Sequence, residues 1–181
     1  SSVTGVQTCA LPIYCRGGSA ERATEHVLLD ENAEAHGHEY FALGAFDVSP
    51  SGGLLAWSQD LDGSEEYELR IRNLVTGVDL DDRIERTYYG TAWSADDNWL
   101  FYTVPDDQMR PYQLWRHRVG TTQADDALVI EEADERFFLD VDLSRSGEWI
   151  VITLASKETS EVWLLDARKP TSEAVCVRPR S

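Results

Sequence analysis

One pattern recurs three times in this chain, and it restricts the available folds more than any other feature. It reads Phe46-Asp-Val-Ser-Pro-Ser-Gly-Gly-Leu-Leu-Ala-Trp-Ser58, then Thr91-Ala-Trp-Ser-Ala-Asp-Asp-Asn-Trp-Leu-Phe-Tyr-Thr103, then Val141-Asp-Leu-Ser-Arg-Ser-Gly-Glu-Trp-Ile-Val-Ile-Thr153. Each copy has a short apolar strand, a polar turn opened by a serine, and a second apolar strand. The serines are Ser49, Ser94 and Ser144, 45 and 50 residues apart. A second landmark follows each copy: Tyr67–Leu74, Tyr112–Val119 and Ser160–Ala167. Within it Leu69, Leu114 and Val162 stand 45 and 48 residues apart. Two landmarks with nearly one period point to a repeated structural module.

The module is built of strands. Tyr67, Leu69 and Ile71 alternate with Glu68, Arg70 and Arg72, the period of a strand with one buried face. Phe101–Val104 and Ile150–Thr153 are rich in β-formers. Pro50, Gly52, Gly53, Asp96, Asp97, Gly147 and the run Asp60-Leu-Asp-Gly63 supply turn chemistry. No stretch reads as a convincing amphipathic helix. Each module has room for a fourth strand such as Leu128–Ile130.

Four antiparallel strands repeated every 40–50 residues describe a β-propeller blade. The expected fold is all-β, a partial propeller of about three four-stranded antiparallel blades. Expected segments are 37–86, 87–132 and a truncated 133–181, with 14–36 as a lead-in. There His26-Val-Leu-Leu29 would be the outer strand of a preceding blade. Propellers close as rings of 4–8 blades. Three blades leave sheet faces uncovered, so the chain is expected to be part of a larger ring and to aggregate alone.

Residues 1–13 are not expected to contribute to the fold. They carry no Lys or Arg and no sustained apolar run, so they do not read as a secretory signal. Val3 to Ile13 resembles the translation of a sequencing adapter, and the native beginning is expected to lie elsewhere.

Charge narrows the partners. Sixteen Lys and Arg against 33 Asp and Glu give a net charge of −17. That field repels phosphate backbones and anionic lipid, so neither nucleic acid nor membrane is expected as a partner. No apolar run reaches the roughly 20 residues of a spanning helix. Cys9, Cys15 and Cys176 are few and widely spaced for a disulfide framework or a zinc site, which fits a reducing compartment such as the cytoplasm.

Motifs with catalytic or metal-binding potential are weak. No GxSxG elbow occurs: Ser19 follows Gly17-Gly18, but Glu21 occupies the last place. His36-Gly-His38-Glu39 has zinc-ligand chemistry but reads as a loop before a strand. Asp60-Leu-Asp62-Gly63-Ser-Glu65 resembles the start of a calcium loop but reads as a hairpin turn. His117, between Arg116 and Arg118, is expected to be exposed, and Glu131–Glu135 to be a solvated loop between blades. Trp57, Trp93, Trp99, Trp115, Trp149 and Trp163 are expected to pack within and between blades. No metal and no cofactor is expected.

Several longer strings resemble the oligopeptidase B branch of the prolyl oligopeptidase family of serine peptidases. They are Arg110–Thr121, Glu135–Leu139, Ala155–Asp166, Gly37–Pro50 and the short Ile13-Tyr-Cys-Arg16. The resemblance extends from about Tyr14 to Arg180. It implies a seven-bladed propeller capping an α/β-hydrolase domain in one chain. It also implies cleavage of short peptides after Arg or Lys, with the propeller gating access. The Ser-Asp-His triad is expected beyond Ser181, leaving no catalytic residue in these 181 and no activity for the fragment alone. The expected partners are short basic peptides and the hydrolase domain. In relatives the segment before the serine turn approaches the active-site cleft. Here that implicates Glu85, Tyr88 and Tyr89 as substrate-facing residues. A TolB-like or WD40-like binding propeller with no hydrolase domain is the alternative.

Overall fold

The serine turn is built the same way three times. Ser49, Ser94 and Ser144 each donate their amide to the carbonyl of the residue five places on, Leu54, Trp99 and Trp149, at 2.8–2.9 Å. Each serine hydroxyl oxygen accepts the amide of that same residue at 3.0–3.1 Å. The fourth turn residue is left-handed in every copy: Gly52 (φ 74°), Asp97 (φ 59°) and Gly147 (φ 71°).

The computed structural model describes residues 10–17 and 26–180. A two-stranded sheet pairs β1 (Ile13–Arg16) with β2 (His26–Asp30), followed by one helical turn, α1 (Glu31–Glu34). Three four-stranded antiparallel sheets follow. The first orders β3 (Ala42–Val48), β4 (Leu54–Asp60), β5 (Tyr67–Asn73) and β6 (Val78–Thr87). The second orders β7 (Thr91–Trp93), β8 (Trp99–Pro105), β9 (Pro111–Arg118) and β10 (Ala127–Glu131), with a 3-10 turn at Gln123–Asp125 before β10. The third orders β11 (Phe138–Leu143), β12 (Trp149–Ala155), β13 (Ser160–Asp166) and β14 (Val175–Arg178). Strands run in sequence order across each sheet, as in propeller blades, and the expected all-β architecture is the one present.

The core lies between the blades. Ala45, Ala56, Leu69, Ile71 and Ile84 of the first blade pack on Trp93, Leu100 and Tyr102 of the second. Phe101 and Leu114, from the second blade's other face, pack on Leu139, Val141, Ile150, Ile152 and Leu154 of the third. Leu28 and Leu29 of β2 cover Leu55 and Trp57. A middle blade is thus buried on both faces, which is why Leu100–Tyr102 reads as an unbroken apolar run. Backbone approach is equally tight at Gly44, where a Cβ would lie 2.5 Å from Ser58 Oγ and 2.6 Å from the Tyr67 ring.

Polar seams tie the blades together. Arg110, just before β9, is buried and donates from Nη1 to the carbonyls of Glu132, Asp134 and Phe137. Its Nε donates to Asp106 at 2.9 Å. This clamp shapes the link from the second blade to the third. The acidic run Glu131–Glu135 beside it was expected to be solvated, but it is so only in part. Glu132 is buried because the Arg180 guanidinium reaches it. Tryptophan burial is also uneven. Trp57 and Trp93 are sealed, whereas Trp149 is 39% exposed.

Within residues 1–13, residues 1–9 lie outside the described residues, as does Ser19. The Leu11 amide donates to Asn32 at 2.8 Å, the Pro12 carbonyl accepts from Glu31, and Ile13 opens β1. These last residues of the segment are therefore hydrogen-bonded to the fold.

Candidate functional site

The inner strands β3, β7 and β11 lie side by side and line a groove of about 300 Å³. Strand alternation decides what faces it. On β11, Leu139 and Val141 turn into the core, so Asp140 and Asp142 turn out into the groove. Asp47 enters from β3 and Thr91 from β7, with the Thr91 hydroxyl 3.4 Å from Asp47 Oδ2. Trp93 Nε1 donates to the Asp47 carbonyl at 3.0 Å and fixes the strand beneath.

Three carboxylates thus face one groove with no guanidinium or ammonium among its lining residues. Burial, reinforced by the negative charge of Asp142, pushes the Asp47 carboxyl up to about 6. Burial opposes any charge there, whereas the negative charge of Asp142 favours an incoming cation.

Tyr89 stands at the rim of the groove and is 47% exposed. Its hydroxyl is 2.8 Å from that of Tyr67, and its ring meets Tyr88 edge-on with centroids 4.6 Å apart. Burial, then the neighbouring Tyr89, raises the Tyr67 phenol above its ordinary value, so it is neutral at physiological pH. The cluster offers aromatic faces and hydroxyls beside a negative groove, a combination suited to cationic side chains.

Glu85 is placed differently. It is exposed on β6 and lines a separate groove of about 270 Å³ with Gln59, Asp62, Glu66 and Tyr67. Tyr88 and Tyr89 are thus brought together, and Glu85 joins them only through Tyr67, which touches both sides. Asp47, Asp140 and Asp142 were not singled out in the sequence. A signal existed, for Asp47 and Asp142 occupy the same place in the repeat, two residues before the turn serine.

His117 is a correction. It is fully buried, not exposed, and sits between Asp82 and Asp126 at 2.8 and 2.7 Å. Strand alternation sends Arg116 and Arg118 to the opposite face, Arg116 half-buried against the third blade and Arg118 exposed, and turns His117 toward the first blade. Asp60, in the calcium-like run, is also buried. Its carboxylate accepts the amides of Asp62, Gly63 and Glu65 and so closes the turn itself. His36 and His38 are exposed in the turn after α1. Cys15 and Cys176 carry free thiols, and Cys9 lies outside the described residues. Among the described residues, no helix is long and apolar enough to cross a membrane.

Known proteins share the blade architecture. The family model for the prolyl oligopeptidase N-terminal beta-propeller domain matches residues 4–181. Protease 2 of Moraxella lacunata is 37% identical over 176 residues, covering 93% of this chain and 26% of that protein. The structure of oligopeptidase B from Leishmania major superposes with a TM-score of 0.84 at 30% identity, over 93% of this chain and 24% of that one. Oligopeptidase B from Trypanosoma brucei, with covalently bound antipain, gives a TM-score of 0.82 at 32% identity, over 93% of this chain and 24% of that one. The chain spans about a quarter of the length of these relatives. With a match over almost its whole length and the blade architecture to go with it, the chain belongs to the N-terminal β-propeller domain of the prolyl oligopeptidase family of peptidases.

Proposed function

We propose that this chain is the leading part of the propeller of an oligopeptidase B-like serine endopeptidase that cleaves short peptides after Arg or Lys. In this reading the hydrolase domain and its Ser-Asp-His triad follow in the same polypeptide. The propeller then admits short, unfolded, basic peptides and excludes folded proteins. Blade limits near 37–86, 87–132 and 133–181, and a cytoplasmic location in keeping with the free thiols, belong to the same proposal.

The observation that carries it is the groove of Asp47, Asp140 and Asp142 with Tyr89 at its rim. A peptide bearing Arg or Lys gains Coulomb energy against three carboxylates and stacking against the tyrosines. The net charge of −17 adds long-range attraction, which raises the encounter rate and is screened by salt. Glu85, Tyr88 and Tyr89 are the substrate-facing candidates within this reading, now joined by Asp47 and Asp142.

The test is hydrolysis by the full-length protein. Fluorogenic peptides with Arg or Lys before the scissile bond are expected to be cleaved far faster than those with Pro or Ala there. Their kcat/KM is expected to fall with ionic strength. Asp47→Asn with Asp142→Asn is expected to raise KM for the basic peptides and leave kcat near the parent value. Preferential cleavage after Pro, or a reading frame that closes the ring with no hydrolase domain, would overturn the proposal.

A further inference from the structure

Where the outer strand of the first blade leans on the second, one imidazole bridges two carboxylates. His117 Nε2 lies 2.8 Å from Asp82 Oδ1 on β6, and Nδ1 lies 2.7 Å from Asp126 Oδ1 just ahead of β10. Asp82 Oδ1 also accepts the Gly120 amide at 2.6 Å. Asp126 Oδ2 accepts the Tyr102 hydroxyl at 2.9 Å. A neutral imidazole has one N–H and one lone pair, so it would turn a lone pair toward one of the carboxylates. Only the doubly protonated ring satisfies both.

The surroundings favour the same state. Asp82 on β6, Asp126 before β10 and Tyr102 on β8 are the titratable groups against the ring. Leu100, opposite it on β8, is apolar. Arg116 and Arg118 flank His117 on β9 but turn to the other side, where Arg116 donates to the Pro170 carbonyl. Burial opposes the charge, but the two aspartates outweigh it and push His117 up to about 9.

The same loop grips β6 a second time. The Glu85 amide donates to Gln123 Oε1 at 3.0 Å, and Gln123 Nε2 donates to the Glu85 carbonyl at 3.1 Å. Three residues past Glu85 the chain reaches Tyr88 and Tyr89. We propose that His117, as an imidazolium shared by Asp82 and Asp126, is a positioning residue that pins β6 to the second blade and so fixes the Tyr88–Tyr89 segment, and that loss of its proton releases the pin. The consequence for substrate rests on the reading of Tyr88 and Tyr89 as peptide-facing, whereas the pin itself does not.

Three measurements on the full-length protein test this. Nitrogen-15 histidine spectra of the wild type are expected to show both His117 ring nitrogens protonated at pH 7. A neutral single tautomer there would overturn the proposal without any variant. Millisecond hydrogen exchange, corrected for the intrinsic rate, follows β6 itself. A His that titrates near 9 when pinned and near 6.5 when released loses up to about tenfold in protection per pH unit between those values, and nothing further above them. That slope is expected in residues 82–89 and abolished by His117→Gln. A slope missing in the wild type or retained in His117→Gln overturns the pin. Finally, KM for an Arg peptide is expected to rise over the same pH range in the wild type and not in His117→Gln. If exchange shows the slope and KM does not move, the pin stands and the role assigned to Tyr88–Tyr89 is overturned.

Discussion

The Ser49 hydroxyl donates to Asp97 Oδ2 at 2.7 Å, joining the serine turn of the first blade to that of the second. Ser51 Oγ donates to the same carboxylate oxygen. Asp97 holds the left-handed position that Gly52 and Gly147 occupy in the other copies. A side chain is thus kept where glycine would cost less backbone strain, because its carboxylate spans the seam. Asp97→Ala retains the strain and loses the link, and is expected to destabilise the fold by about 1–3 kcal/mol. Asp97→Gly relieves the strain and is expected to recover part of that loss. Urea denaturation of the two variants beside the parent checks the order.

Arg110 satisfies three carbonyls of the link between the second and third blades. Lysine has a point charge in place of a planar fork and cannot reproduce that geometry. Arg110→Lys is expected to cost about 2 kcal/mol, and Arg110→Met more, because the buried carbonyls lose their donor while Asp106 keeps only the Gln108 and Arg110 amides. Equal stability of Arg110→Lys and the parent in thermal or urea unfolding would contradict this.

The last strand is held by charge. Arg180 donates to Glu161 at 3.0 Å and to Glu132, and its guanidinium lies 4.0 Å from the Phe137 ring centroid. The Arg180 hydrogen bond lowers the Glu161 carboxyl to about 2, against the opposing effect of burial. A depressed folded-state value means that this stabilisation is complete above the ordinary value of 4.5 and is lost as pH falls toward 2. Trp163, whose Nε1 donates to Glu161 at 2.7 Å, reports on it. Its fluorescence is expected to change across that window, and Arg180→Met is expected to move the change up toward pH 4.5.

Asp47 works in the opposite sense. Its carboxyl titrates near 6 when folded, above its ordinary 3.8, so the folded state binds the extra proton between those values. Stability from this group therefore falls as pH rises through that window, and the penalty is complete at pH 7. Asp47→Asn is expected to stabilise the fold by about 1 kcal/mol at pH 7, allowing for solvent in the groove, and to bring no gain at pH 4. The same variant is expected to bind Arg peptides more weakly. A stability gain paired with weaker binding would separate a functional carboxylate from a structural one.

Much of the blade architecture could be read from the sequence because its causes are local. The alternation of Tyr67, Leu69 and Ile71 and the turn at Ser94 depend on strand periodicity and on one side chain bonding an amide five residues away. The pairing of Tyr88 with Tyr89 before that turn was equally visible. The carboxylate groove was harder to read, since Asp47 and Asp142 are 95 residues apart and converge only when β3, β7 and β11 come side by side.

By itself, the sequence determined the repeat, the strands, the serine turns and the family, since each is written in neighbouring residues or in strings long enough to match. Only the tertiary structure decided which charged residues are buried. His117, Arg110 and Glu132 look like surface residues between their chain neighbours. They enter seams because another blade brings Asp82, the Phe137 carbonyl or Arg180 against them. A charge survives burial only beside its partner, and the partner is chosen by how the blades stack.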